Sequence, residues 1–487
     1  MQEARVMEPN PLRELIVGVN HRVPVRDGRK VVYANLDNAA STPALKAVKQ
    51  EADQLLEWYA SIHRGAGYKS QLASEWYELA RQDILEFIGA DPDTYCAIFT
   101  SNTTDAINRL ARKFPVDADR SVIISWAEHH ANDLPWRERG RVLRTPVNDE
   151  GWIDPDHLDT VLQREGRRAR LVSVTGAANV NGTVQPIGEL ARVAHRHGIP
   201  LAVDAAQLAP HRAIRLNDMA EEERPDFLMF SGHKMYAPFG GGALVGRREF
   251  FDRTAPAVRG GGAVRLVEPD GVDWLDAPER EEAGSPNVLG AVTLAAAARE
   301  LQRIGFEEMD QVEMILTRRL LQALERIPGS IIYGITDTAR MQDRLAVVSF
   351  NLEGIDHALV AGVLAYEGGI GVRNGCFCAQ PFVMQMLGLT QEQAFAFRDK
   401  MRNGHKIGIP GSVRISFGLY NTNEELDHAL MLLQALAEGE FRDAYRQDPS
   451  TGAFHPADGV PSYSDHIHEL RMEEPAFWAG RNHTRFP

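Results

Sequence analysis

Between residues 121 and 231 the chain alternates short apolar runs with helical stretches: SVIISW, RLVSVTG, the helix IGELARVAHRH, then LAVDAAQ and FLMFSG. That alternation predicts an α/β fold with a mostly parallel sheet covered by helices. Upstream, VVYANLDNAASTP reads as a strand entering a turn, and Pro43 opens the helix LKAVKQEADQLLEWY. The polar, glycine-rich SIHRGAGYKS reads as a mobile loop before a helix from Gln71 to about Ile88. YCAIFTSNTTDAINRLARKF then reads as strand, turn and helix, with Asn102, Thr103, Thr104 and Asp105 at the helix start. Free amides and the helix dipole there suit a phosphate, and an ordinary helix cap is the plainer alternative.

Two residues of this alternation carry chemistry. Asp204 ends the run IPLAVD, and Lys234 lies in FSGHKMYAPFGGG, directly after PDFLMF. A carboxylate and a lysine at the ends of neighbouring parallel strands meet in the crevice outside the carboxyl ends of the sheet. Pyridoxal phosphate needs this pair: an amine to bond its carbonyl carbon, and a carboxylate to keep its pyridine nitrogen protonated. GGGALVG and RGGGAV lack the strand-to-helix setting of a dinucleotide site and read as turns.

After about residue 295 a long helical stretch, LAAAARELQRIGFEEMDQVEMILTRRLLQALERI, leads into IIYG, LAVVSFNL, the helix HALVAGVLAYEG and the strand VRISFG, as in a smaller α+β domain. The expected division is an N-terminal arm at 1–35, a large cofactor-binding domain at 36–295, a small C-terminal domain at 296–438 with the arm laid on it, and an extension at 439–487. The extension, with SYSDHIHEL and EEPAFWAGRNHTRFP, gives no fold signal, and its His466 and His468 read as solvated rather than metal-binding.

With 487 residues, 44% of them hydrophobic, the chain can bury large cores. A net charge of −14 without a long basic run argues against nucleic acid or an anionic membrane as partner. No signal peptide and no membrane-spanning run is read, so a cytoplasmic location is expected. Three cysteines, Cys96, Cys376 and Cys378, are too few for a disulfide framework and fit a reducing compartment.

LDNAAS (Leu36–Ser41), HRG (His63–Gly65), SNTTDAIN (Ser101–Asn108), EHHAN (Glu128–Asn132), ANVNGT around Asn179, VDAAQ, SGHK, EAGSPN (Glu282–Asn287) and RNGCFCAQP (Arg373–Pro381) together resemble the class V aminotransferase-like enzymes of fold type I. Within them the similarity, from about 31 to about 437, is to group II cysteine desulfurases and selenocysteine lyases. The resemblance implies a seven-stranded, mostly parallel sheet in the large domain and pyridoxal 5′-phosphate as cofactor. It places His129 over the pyridine ring, Asn179 and Gln207 near the phenolic oxygen, and Thr103, Thr104, Ser231 and His233 on the phosphate. It implies a homodimer in which Gly284 and Ser285 complete the partner's phosphate site.

Arg414, helped by Asn179 and Arg373, matches the clamp on a substrate carboxylate, a natural task for a planar guanidinium. Cys378 matches the nucleophile that takes sulfur from L-cysteine as a persulfide, for delivery to a protein acceptor. Close relatives carry two histidines before that cysteine, where this chain has Cys376 and Phe377. A stretch containing TQEQAFAFRDKMRNGHKIGIPG also lengthens the segment between Cys378 and Arg414. The expected activity is cysteine desulfuration, with Lys234, Cys378 and His129 catalytic. The alternatives are a C–S lyase, an epimerase or a selenocysteine lyase without catalytic cysteine, and, in a different class, a non-catalytic scaffold.

Overall fold

The computed structural model describes residues 10–114, 117–441 and 444–472. The end of the extension, EEPAFWAGRNHTRFP, and the start of the arm lie outside the described residues.

The large sheet has seven strands: β1 (Tyr95–Thr100), β2 (Asp117–Ser125), β3 (Gly140–Thr145), β4 (Ala169–Thr175), β5 (Leu201–Asp204), β6 (Phe227–Ser231) and β7 (Gly242–Arg247). Their spatial order is β1-β7-β6-β5-β4-β2-β3. Strands β3, β2, β4, β5 and β6 pair in parallel, while β7 runs antiparallel between β6 and β1. Helix Thr103–Lys113 follows β1, and Asn102 caps it by accepting from Asp105 N at 3.0 Å.

GGGALVG departs from its reading as a turn, because Gly242–Arg247 is strand β7. Gly240, at φ 73°, does lie in the turn before the strand, but the strand's own glycines serve close approach: a Cβ on Gly242 would lie 2.7 Å from Asn102 Cα, and one on Gly246 2.5 Å from Phe227 Cδ1. The long helical stretch is two helices, Val288–Ile304 and Phe306–Leu324, hinged where Gly305 adopts φ 93°. The first of these runs through residue 295 and packs into the core beneath the large sheet.

A second core surrounds a four-stranded antiparallel sheet of β8 (Ser330–Tyr333), β9 (Val347–Leu352), β10 (Arg373–Gly375) and β11 (Ser412–Ser416), in the order β8-β9-β11-β10. The arm lies across both cores: Asn10 Nδ2 donates to Leu419 O and Asn421 O at 3.0 Å, and Arg13 pairs with Glu425 at 2.6 Å. Part of the extension is ordered despite its unpatterned sequence. Tyr445–Gln447 and Phe454–Pro456 form a hairpin tied to helix His357–Gly368, with Tyr445 Oη donating to Glu367 at 2.8 Å. Three-residue strands are too short to show periodicity. His466 and His468 lie exposed on the last described helix, Tyr463–Met472.

Candidate active site

A cavity of about 490 Å³ opens at the carboxyl ends of the parallel strands, where such sheets bind ligands. Five of the strands deliver residues from their ends or the turns that follow them. Asn102, Thr103 and Thr104 come after β1, His129 after β2, Asn179 after β4, Asp204 and Gln207 from the end of β5, and Ser231, His233 and Lys234 from the end of β6. The second sheet closes the far wall with Arg373 and Asn374 of β10, Phe377 and Cys378 beyond it, and Arg414 of β11. Of the residues expected from the sequence, all line this one cavity except Ser285, which lies exposed with Gly284 on a loop elsewhere.

The floor is buried and charged. Asp204 Oδ1 accepts from Ala206 N at 3.0 Å. Burial raises its pKa, and the neighbouring Lys234 charge works in the opposite sense. Burial pushes Lys234 down to about 8, although Asp204 favours its charged form. His129 Nδ1 accepts from Ala131 N at 3.0 Å, which leaves Nε2 to carry the ring proton. Burial, with Lys234, His130 and Arg414 nearby, pushes His129 down to about 3, so its imidazole is neutral at ordinary pH. Beneath it the buried Glu128 accepts from Asn132 Nδ2 at 2.6 Å and Thr175 N at 3.0 Å. Burial still holds Glu128 up at about 8.

At the start of helix Thr103–Lys113, Ser231 Oγ meets Thr103 N at 2.7 Å and Thr103 Oγ1 at 2.6 Å. Thr104 is exposed to the cavity, and burial pushes His233 down to about 4. Gln207 Nε2 donates to Ala39 O at 2.7 Å, and Asn179 Nδ2 to Phe377 O at 2.7 Å.

Arg414 is the hub of the far wall. Its Nη1 donates to Asn179 O and its Nη2 to Asp37 Oδ1, both at 2.8 Å, and its Cζ lies 5.0 Å from the centre of the Phe377 ring. Its Nε is buried without a partner among the described residues. Cys378 is exposed to the cavity mouth with φ 54°, after Phe377 with φ 50°. This left-handed turn is pinned by His130 N donating to Cys378 O at 2.7 Å and Ala379 N to Cys376 O at 2.8 Å. Cys376 points inward toward Pro410 O, and burial pushes its thiol up to about 11.

Sequence reasoning missed Asp37, His130 and Asn374. Asp37 and His130 stand inside quoted motifs, LDNAAS and EHHAN, but their partners lie hundreds of residues away in the chain. The assembled donor set fits pyridoxal phosphate. It combines a buried amine of lowered pKa, a buried carboxylate on the same floor, a neutral imidazole, and hydroxyls and amides at a helix N-terminus.

Comparison with known proteins agrees with this geometry. The family model described as aminotransferase class-V matches residues 34–429. A cysteine desulfurase of Haloferax volcanii is 32% identical over 443 residues, 88% of this chain and 95% of its own. One of Klebsiella pneumoniae is 34% identical over 420 residues, 84% of this chain and 94% of its own. The apo structure of a cysteine desulfurase from Thermococcus onnurineus superposes with a TM-score of 0.74 at 31% identity, covering 90% of this chain and 100% of that one. A cysteine desulfurase of Escherichia coli in its S-sulfonic acid form gives a TM-score of 0.71 at 28% identity, covering 89% and 99%. A strand-end cavity with this donor set, on a seven-stranded sheet matched over nearly its whole length, leads to one conclusion: the chain belongs to the class V aminotransferase family, whose enzymes work with pyridoxal phosphate.

Proposed function

We propose that the protein is a cysteine desulfurase that converts L-cysteine to L-alanine and keeps the sulfur on Cys378 as a persulfide. The observation that carries this reading is that Cys378 lines the same cavity as Lys234, Asp204, His129 and Arg414. The relatives named above are cysteine desulfurases, which supports the choice of substrate.

When bound, pyridoxal phosphate supplies a carbonyl for the substrate amine and a ring that accepts electrons from Cα. Asp204 would keep that ring's nitrogen protonated, and the neutral His129 would lie against its face. Asn179 and Gln207 would hold its phenolic oxygen. Thr103, Thr104, Ser231 and His233 would hold its phosphate. Arg414, with Asn179 and Arg373, receives the substrate carboxylate and so fixes Cα above Lys234. Lys234, with its pKa near 8, moves the Cα proton close to neutral pH. Cys378 as thiolate attacks the substrate sulfur: the S–S bond forms, the Cβ–S bond breaks, and the carbon fragment takes up a proton to become alanine. The exposed turn at Cys378 leaves the persulfide within reach of a protein acceptor.

The exposed Gly284–Ser285 loop supports an isologous dimer in which each subunit completes the other's phosphate site. Sedimentation should then give twice the chain mass of 54.1 kDa. The central test is turnover of L-cysteine with a thiol reductant, scoring alanine and sulfide together. Equal yields, both abolished by Cys378→Ser while the cofactor stays bound, are expected. Alanine formation that survives Cys378→Ser would refute the role of Cys378.

A further inference from the structure

We propose that Asp37 is a specificity-determining residue: by neutralising one of two arginines on the substrate wall, it restricts the site to amino acids carrying a single anionic group. Asp37 Oδ1 accepts from Arg414 Nη2 at 2.8 Å, and its Oδ2 lies 3.0 Å from Arg373 Nε. One carboxylate therefore bridges two guanidiniums, and both guanidiniums line the cavity beside Lys234 and Cys378.

Asp37 is held rigidly in this position. Its N–H donates to Asn35 Oδ1 at 3.2 Å, its carbonyl accepts from Ala40 N at 3.0 Å, and its backbone bridges to Ser416. Arg414 is equally constrained, by Asn179 O and the Phe377 ring. Its side chain is only 3% exposed, whereas that of Arg373 is 51% exposed. The buried guanidinium is thus fixed, and the solvated one is the spare cation that a second anionic group would seek.

The charge balance follows from these contacts. On the wall itself, Arg373, Arg414 and the Asp37 carboxylate that bridges them carry one net positive charge. One substrate carboxylate satisfies it. A second anionic group would meet an arginine already paired, and would have to displace or approach the Asp37 carboxylate, a like charge in a sheltered site. A small amino acid with a neutral or thiol side chain meets no such penalty. This inference rests on the amino-acid substrate proposed above and refines what that wall excludes.

The test is equilibrium binding to the holoenzyme by calorimetry, with L-alanine as the monoanionic probe and L-aspartate as the dianionic one. Asp37→Asn keeps the shape and removes the charge, and should shift the affinity ratio toward L-aspartate by about ten-fold or more. Asp37→Glu should keep the native preference, and adding Arg373→Gln to Asp37→Asn should restore it. Equal weakening of both ligands in Asp37→Asn would overturn the proposal, because Asp37 would then merely hold Arg414 in place. If Asp37→Asn does not fold, Arg373→Gln alone decides: the preference must move further toward L-alanine, and an unchanged ratio overturns the proposal. Because the readout is binding, a protein inert toward L-cysteine still answers the question. Normal desulfuration with an unshifted ratio would refute this proposal alone.

Discussion

Lys234 is chemically useful because it is poorly placed for stability, and that cost is measurable. Burial lowers its pKa from the usual 10.5 to about 8 even with Asp204 favouring the charge. A shift of that size corresponds to about 3 kcal/mol against the folded, protonated state. The sign follows from proton counts. Below pH 8 both the folded and unfolded chains hold the proton and the full cost is present. Between about 8 and 10.5 the folded chain has released a proton that the unfolded chain keeps, so stability rises with pH across that window. Lys234→Met with Asp204→Asn keeps the size of both side chains and removes both charges without stranding the buried carboxylate. In cofactor-free protein its unfolding free energy, taken relative to wild type, should be about 2–3 kcal/mol higher at pH 7 than at pH 10. Urea denaturation followed by tryptophan fluorescence, with wild type and variant side by side at each pH, measures both gaps. A gap of the same size at both pH values would refute the reasoning, since the gain would then come from packing. A gap more favourable to the variant at pH 10 than at pH 7 would show that the ammonium is stabilised where it lies.

In the proposed role of Arg414 as the carboxylate clamp, Arg414→Gln removes a charge-assisted interaction of about 2–3 kcal/mol. Steady-state alanine formation should show KM for L-cysteine raised about 30- to 150-fold with a smaller change in kcat; an unchanged KM would remove Arg414 from carboxylate binding. His211 Nδ1 meets both oxygens of Glu313 at 3.0 and 2.9 Å, with side chains 4% and 1% exposed. His211→Leu should cost about 3–5 kcal/mol in urea unfolding by stranding Glu313, and His211→Leu with Glu313→Leu should recover most of it. Gly241→Ala would drive a Cβ into the Gly290 carbonyl, with Gly290 C at 2.7 Å. Because both contacts are backbone, the thermal midpoint should fall by the equivalent of about 2–3 kcal/mol.

Five strands of the large sheet were legible because they appear as buried apolar runs, from Cys96–Phe99 to Phe227–Phe230, whereas the edge strand β3, partly exposed and interrupted by Arg141 and Arg144, carries no such run. Lys234 and Asp204 were legible because each closes such a run. Strand β7 was hidden because glycine carries no hydrophobic signal, although it is the residue type that lets Gly242 lie against Asn102 and Gly246 against Phe227. The break at Gly305 was hidden for the opposite reason: one glycine inside a helical pattern does not show whether the chain continues or turns. Asp37 was illegible as a functional residue. Its two arginine partners lie more than three hundred residues downstream, on neighbouring strands whose pairing, Arg373 opposite Arg414, only the folded sheet supplies.

That pairing ties the chemistry to the junction between the two cores. The floor of the cavity belongs to the large sheet, and the wall with Arg414 and Cys378 belongs to the second. Reaction geometry therefore depends on how firmly the second core is seated. Apolar residues such as Val347 and Leu419 join the larger core across the seam, and buried hydrogen bonds cross it as well. Asn38 Nδ2 donates to Ser416 O at 3.0 Å and Asn421 Oδ1 at 3.1 Å, Leu419 N donates to Tyr236 Oη at 3.1 Å, and His211 reaches Glu313 across it. Apolar contact tolerates small sliding, but a buried hydrogen bond does not, because a donor displaced by an ångström is left unpaired at a cost of about 1–3 kcal/mol. Tyr236 stands two residues after Lys234, and Ser416 two residues after Arg414 on β11. The bonds that seat the second core thus start beside Lys234 and Arg414, the two side chains whose separation the proposed reaction must fix.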